Sequence, residues 1–241
     1  MYEKHLDECF AKADRRESKI TEDVLRIEGM SGDKTRHFYN NVCSLDYIRY
    51  LEIGTWRGSS ICSAMCNNQI SCVCVDDWSE FGGSKNAFSV NFNRFKEGND
   101  ALFIESCCWK LDPTKLAEDG KFNVYMYDGD HSEECHFRAL NHFIESLQYY
   151  FIYMVDDWNW PDVRKGTFDS ISRNNLEVLY FRDINTETRE ERSEWHNGIG
   201  VFVLRKFSRV KNFWCGITGD HDNLFFKAGL EGINEQRLHY S

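Results

Sequence analysis

Two short stretches carry side chains whose types and spacing could do chemistry together. Tyr127-Asp128-Gly129-Asp130-His131 and Val155-Asp156-Asp157 each close an apolar run with acids. If those runs are neighbouring strands of a parallel α/β sheet, their C-terminal ends open on one crevice and bring Asp128, Asp156 and Asp157 together. Three carboxylates there repel one another. A hard divalent cation such as Mg²⁺, with Mn²⁺ or Ca²⁺ as alternatives, relieves that repulsion. Successive side chains of a strand point to opposite faces, so Asp156 and Asp157 reach one ion only where the strand breaks. Trp158-Asn159-Trp160-Pro161 supplies such a break. Each piece also has an ordinary use. Asp128-Gly129 is a common turn pair, Asp130 with Glu133 fits a capping box, and a histidine at a helix start is commonly a surface residue.

A second constellation lies upstream in Tyr50-Leu51-Glu52-Ile53-Gly54-Thr55-Trp56-Arg57-Gly58-Ser59-Ser60. This reads as a strand, a glycine turn and a helix start, where backbone N–H groups face a ligand above the strand ends. The spacing is not the G-x-G-x-x-G of dinucleotide binding. Glu52 would repel a pyrophosphate, and it suits a ligand with a cationic centre such as S-adenosylmethionine. The next strand, Ile70 to Val75, closes with Asp76-Asp77, placing a carboxylate beside the first turn where a ribose would lie.

The elements that must position these residues follow from periodicity. Strands are predicted at Tyr47 to Ile53, Ile70 to Val75, Ala101 to Ser106, Phe122 to Tyr127, Tyr149 to Val155, Leu176 to Phe181 and Ile199 to Leu204. Helices are predicted after Ser59, at the end of the Phe81 to Lys96 loop, and over Leu111 to Asp119, Ser132 to Gln148 and Pro161 to Asn174. The polar stretch between the last two strands is too short and too polar for a crossover helix, so those strands pair antiparallel. Residues 1–44 read as an amphipathic helical extension added to the core, 45–206 as the α/β domain and 207–241 as a C-terminal extension. The loop from Glu28 to Asp33 interrupts the first helices.

The net charge of −10 disfavours a nucleic-acid or anionic-membrane surface. No apolar run approaches a membrane span and the start is too charged for a signal peptide, which predicts a soluble, cytoplasmic protein. The ten cysteines contain no C-x-x-C and read as small buried hydrophobes in a reducing compartment.

Together these motifs resemble class I S-adenosylmethionine-dependent methyltransferases, and among them the metal-dependent O-methyltransferases of the macrolide-sugar (macrocin) and catechol types. The resemblance covers residues 45–205 and implies a Rossmann-like, doubly wound seven-stranded sheet, mostly parallel with the last strand antiparallel. It implies cofactor contacts from Glu52, Gly54, Thr55, Gly58, Ser59 and Ser60 at the first turn. Asp76 and Asp77 would serve the ribose, and Ser106 and Cys107 the adenine. The last two, followed by Cys108, stand where the family often has an acid. It implies a metal on Asp128, Asp156 and Asp157, with Asp128 and His131 as the catalytic residues and His131 as base. The substrate would be a small hydroxylated acceptor, such as a sugar, and a homo-oligomer is compatible with this reading. Trp158, Trp160 and Trp195 are candidates for the acceptor wall or for core packing. The competing readings are a nicotinamide-dependent oxidoreductase and a non-catalytic S-adenosylmethionine-binding module.

Overall fold

Alternating apolar residues on the central strands divide the core into two layers. In β1 (Arg49–Ile53), Tyr50 faces one side and Leu51 the other. The register carries this alternation across the sheet, with Leu51 opposite Val73 and Tyr125, and Tyr125 opposite Tyr153. The remaining strands are β2 (Ser71–Asp76), β3 (Asp100–Glu105), β4 (Phe122–Tyr127), β5 (Leu147–Asp156), β6 (Leu176–Ile184) and β7 (Ile199–Lys206). Their order is β3-β2-β1-β4-β5-β7-β6, with β7 antiparallel to both of its neighbours. This is the predicted sheet, and the change of direction between β1 and β4 opens the crevice where such folds bind ligands. The chain is seen in a computed structural model that describes residues 2–82 and 84–207. The predicted C-terminal extension therefore lies outside the described residues from position 208 onward.

One face of the sheet is covered by α1 (Tyr2–Asp14), α3 (Asp33–Val42), α4 (Ser59–Met65) and α5 (Lys85–Phe95). The other is covered by α7 (Glu133–Phe143) and α8 (Pro161–Arg173). Two short helices, α2 (Glu22–Leu25) and α6 (Pro113–Leu116), sit in the connections. The N-terminal segment is not an addition laid on a finished core. Leu6, Phe10, Phe38, Tyr39 and Val42 are fully buried in the same cluster as Ile61, Met126 and Ile152. Residues 1–206 accordingly form one unit.

Several element boundaries differ from the sequence reading. The polar stretch before β7 does hold a helix, α9 (Arg189–Trp195), started by a reciprocal capping box between Thr188 and Glu191. The helix expected to run to Gln148 stops at Phe143, because a 3₁₀ turn carries the chain into β5. The helix over Leu111 to Asp119 shrinks to the four residues of α6, which Asp112 caps. The cap of α7 is Ser132, whose hydroxyl accepts from the Cys135 N–H, and not Asp130. Asp130 instead accepts from the Ser132 N–H and hydroxyl, fixing the turn before the helix. All nine described cysteines are free thiols, six of them buried. Among the described residues no helix is long and apolar enough to cross a membrane.

Candidate active site

The C-terminal ends of β1, β2, β4 and β5 surround one cavity of about 340 Å³. Such a volume is typical of small-molecule sites, which run to about 300–1,000 Å³. Gly54 sets the distance between its two halves. Its φ is +84°, and a Cβ there would lie 1.8 Å from the Asp128 carbonyl oxygen, so only glycine lets the first turn close against the end of β4.

At the turn end, the acids are occupied by the fold. Asp76 Oδ2 accepts the N–H groups of Thr55 at 2.8 Å and Trp56 at 2.7 Å, and its Oδ1 accepts Trp78 N–H at 2.7 Å. A carboxylate offers about four lone-pair sites. Asp76 lines the cavity but has little capacity left, so it cannot hold both hydroxyls of a ribose alone. The adjacent, exposed Asp77 also lines the cavity and accepts only the Ser79 N–H within its own turn.

Glu52 is placed differently from the expected cofactor contact. It is fully buried and does not line the cavity. Tyr50 Oη and Ser60 Oγ each donate to it at 2.7 Å, which supports the turn from beneath. Burial pushes its carboxyl up to about 7. Ser59 bonds Ser31 at 3.0 Å, and Thr55, Gly58, Ser59 and Ser60 all stand behind the cavity lining while Gly54, Ser106 and Cys107 form part of it. The first turn thus approaches a ligand mainly through Gly54 and Trp56.

At the other end, β5 breaks where the metal reading requires. The strand ends at Asp156, and Asp157 takes a left-handed φ of 53°, which turns its side chain into the same cavity. Donor atoms of Asp128, His131 and Asp157 all lie within 4.8 Å of one another. Ligands around one ion at about 2.0–2.6 Å span a similar distance, so the group fits a divalent cation. This set differs from the expected three aspartates. Asp156 lines the cavity wall but is also approached by Tyr39 Oη at 3.4 Å, and His131 takes its place in the compact group.

The electrostatics fit a cation as well. Burial, then the mutual repulsion of the aspartates, pushes Asp128 well up. Burial and the adjacent Asp157 push Asp156 up. Burial also acts to raise Asp157, but His131 and Asn197 outweigh it and hold the carboxyl below the usual range. His131 Nε2 lies 2.6 Å from Asp157 Oδ2, and that hydrogen bond pushes the imidazole up despite burial. Asn197 Nδ2 donates to Asp157 Oδ1 at 2.6 Å.

Some lining residues were not anticipated. His196 and Asn197 arrive from the α9–β7 connection, and the Asn197-Gly198 turn pair was their only local signal. Met30 brings the Glu28 to Asp33 loop over the cavity, held there by Arg36, which donates to the Ser31 carbonyl and hydroxyl as well as to the Val24, Leu25 and Ile27 carbonyls. Of the three candidate tryptophans only Trp160 lines the cavity. Trp158 is fully buried against Phe202, and Trp195 packs on Phe10 and Phe38.

No protein-family model matches the chain, and no curated protein is significantly similar in sequence. Solved structures are similar in three dimensions. An O-methyltransferase from Bacillus cereus in complex with SAH superposes with a TM-score of 0.54 at 10% identity, over 84% of this chain and 91% of that one. A Klebsiella pneumoniae protein assigned as an O-methyltransferase gives 0.52 at 13% identity, over 84% and 90%. A Streptococcus mutans protein assigned as a SAM-dependent methyltransferase gives 0.50 at 10% identity, over 72% of this chain and 48% of that one. The chain thus spans about half the length of the Streptococcus mutans protein. At such identities the likeness establishes the architecture: this chain has the Rossmann-like, seven-stranded fold of S-adenosylmethionine-dependent methyltransferases.

Proposed function

We propose that this protein transfers the methyl group of S-adenosylmethionine to a hydroxyl of a small acceptor, with a divalent metal at the acceptor end. The observation that carries the reading is the compact group of Asp128, His131 and Asp157, across one cavity from the Gly54 turn. Asp76 and Asp77 share the ribose, and Ser106 and Cys107 border the adenine. Asp128 and Asp157 would hold the ion, with Asp156 behind them in the cavity wall beside Tyr39. When bound, a hard cation supplies Lewis acidity that lowers the pKa of an acceptor hydroxyl. His131 takes the hydroxyl proton on Nδ1, while its Nε2, 2.6 Å from Asp157 Oδ2, is held by that carboxylate, which orients the ring and stabilises the imidazolium. The acceptor oxygen then attacks the sulfonium methyl in line, leaving the thioether as product. Trp160, whose ring meets His131 edge-on at 4.8 Å, walls the acceptor side.

The test is calorimetric titration with S-adenosylmethionine and with NAD, each with and without Mg²⁺, followed by turnover of hydroxylated acceptors in EDTA and after Mg²⁺ is restored. Binding of S-adenosylmethionine and EDTA-sensitive turnover are expected. Binding of NAD in its place would sink the reading, and full activity in EDTA would remove the metal.

A further inference from the structure

Two connections meet at Asp157, and each carries a non-glycine residue with a positive φ. Asp157, just past the end of β5, has a φ of 53°, and His196, between α9 and β7, has a φ of 53° with a ψ of −121°. Such backbones are costly and persist only where their surroundings over-determine them. Here the two connections are bonded to each other. The Asn159 N–H donates to the Asn197 carbonyl at 2.9 Å, and Asn197 Nδ2 donates back to Asp157 Oδ1 at 2.6 Å.

Behind this pair lies a buried brace. Asn159 grips Thr186 by three hydrogen bonds, each of 2.9 Å: its Oδ1 accepts the Thr186 N–H, and its Nδ2 donates to the Thr186 carbonyl and hydroxyl. The Thr186 hydroxyl in turn donates to the His196 carbonyl at 2.7 Å. Thr186 is 4% exposed and follows β6, so the chain after β5, after β6 and before β7 is tied together at one residue. A Cβ at Gly198, whose φ is +82°, would lie 2.2 Å from the Ile184 carbonyl oxygen and 2.9 Å from Asn159 Oδ1, so glycine alone lets the turn close on the brace.

Both oxygens of Asp157 are thereby anchored. Oδ2 meets His131 Nε2 at 2.6 Å, and Oδ1 meets Asn197 Nδ2 at 2.6 Å. A carboxylate keeps further lone pairs after accepting one bond at each oxygen, and here they are left pointing in fixed directions. An amide at position 197 also adds a donor without adding charge among Asp128, Asp156 and Asp157. Groups that orient a metal-binding carboxylate in this way set its affinity, and their replacement costs about 10–100-fold.

Resting on the metal-dependent reading above, we infer that Asn197 is a positioning residue. It fixes Asp157 so that one carboxylate serves the ion and the His131 ring at once, and the Asn159–Thr186 brace fixes Asn197. The α9–β7 connection is therefore part of the ion site through a side chain that carries no charge. Neither Asn197 nor Thr186 takes part in bond making.

The experiment is calorimetry with Mn²⁺ and with Mg²⁺ on the native chain, Asn197→Ala, Thr186→Val and Thr186→Ser, with S-adenosylmethionine affinity and melting temperature measured on the same samples. Ion affinity should fall about 10–100-fold in Asn197→Ala and about tenfold in Thr186→Val. Thr186→Ser keeps the hydroxyl and should bind the ion within about threefold of the native chain, and donor affinity should hold within about threefold in all three variants. The ring signals of His131 in nitrogen-15 NMR of the ion-free protein should move in Asn197→Ala and stay in place in Thr186→Ser. Ion affinity unchanged in folded Asn197→Ala overturns the proposal and leaves the metal reading standing. Equal loss of ion and donor binding overturns it too, because that is general loosening. A Thr186→Ser protein as impaired as Thr186→Val removes the brace. A native chain that binds neither ion removes the metal reading and the proposal with it.

Discussion

At the glycine-turn end of the cavity, Asp76 and Glu52 each face hydrogen-bond donors, whereas at the β4–β5 end Asp128 and Asp156 face each other. The first end is complete without a ligand: its carboxylates hold the Gly54 turn, and a cofactor meets a preformed surface. The second end is incomplete. Its crowded acids are pushed up by burial and by one another, and Asp157 adopts a backbone conformation that costs of order 1–3 kcal/mol. The difference teaches where the ligands act. One end has been built to stay put, and the other stores an electrostatic cost that a cation relieves.

The largest effect expected from breaking this contrast is at the crowded end. Asp128→Ala or Asp157→Ala should reduce metal-dependent turnover to background while S-adenosylmethionine affinity changes by less than about threefold. Parallel calorimetry and turnover assays check this, and equal loss of donor binding would show that the two ends are not separable. His131→Ala should slow transfer by about 10²–10⁴-fold and leave metal affinity in place, as befits a base. Loss of metal binding in that variant would make His131 a ligand, as its place in the compact group permits.

At the complete end, Asp76→Ala should weaken S-adenosylmethionine by about 1.5–3 kcal/mol for a lost charge-assisted bond, and should lower the melting temperature because three backbone N–H groups lose their acceptor. Unchanged affinity would pass the ribose to Asp77 alone. The smallest effect on function is expected from Glu52→Gln, which should alter donor affinity by less than about threefold because Glu52 does not line the cavity. Its signature is in stability. A carboxyl raised to about 7 in the fold binds a proton there that the unfolded chain releases near 4.5. Its stabilising contribution is therefore full below 4.5 and lost as pH rises through about 7. Denaturation across that window should show the slope in the native protein and a flatter profile in Glu52→Gln.

Much of this was legible in the sequence for a local reason. Strands β2, β4 and β5 are dense apolar runs that stop abruptly at acids, and the glycine turn after β1 needs no partner to be recognised. The break after Asp156 was foreshadowed by Trp158-Asn159-Trp160-Pro161 and is realised at Asp157. What failed to show depends on contacts distant in sequence. Helix α3 joins the core although it is polar, because Asn40 donates to the Ser63 and Cys66 carbonyls and Arg36 to four others, so these buried polar groups are satisfied. The exchange of Asp156 for His131 in the compact group rests on Tyr39 and on the turn of one backbone angle. Asn197 reaches Asp157 across 40 positions, and no local pattern tells Trp158 in the core from Trp160 at the rim.

The most direct test of the electrostatic account is titration of the protein with Mg²⁺ and Mn²⁺ by calorimetry, in two buffers of different ionisation enthalpy, for the native chain and for Asp128→Asn. A cation at the β4–β5 end meets Asp128 and Asp156 carboxyls that burial and neighbouring acids push up, so its binding releases protons from them. The account predicts one ion per chain, proton release on binding, apparent affinity that rises with pH, and loss of binding in Asp128→Asn. No binding of either ion, or binding that is unchanged in Asp128→Asn and releases no proton, would contradict it.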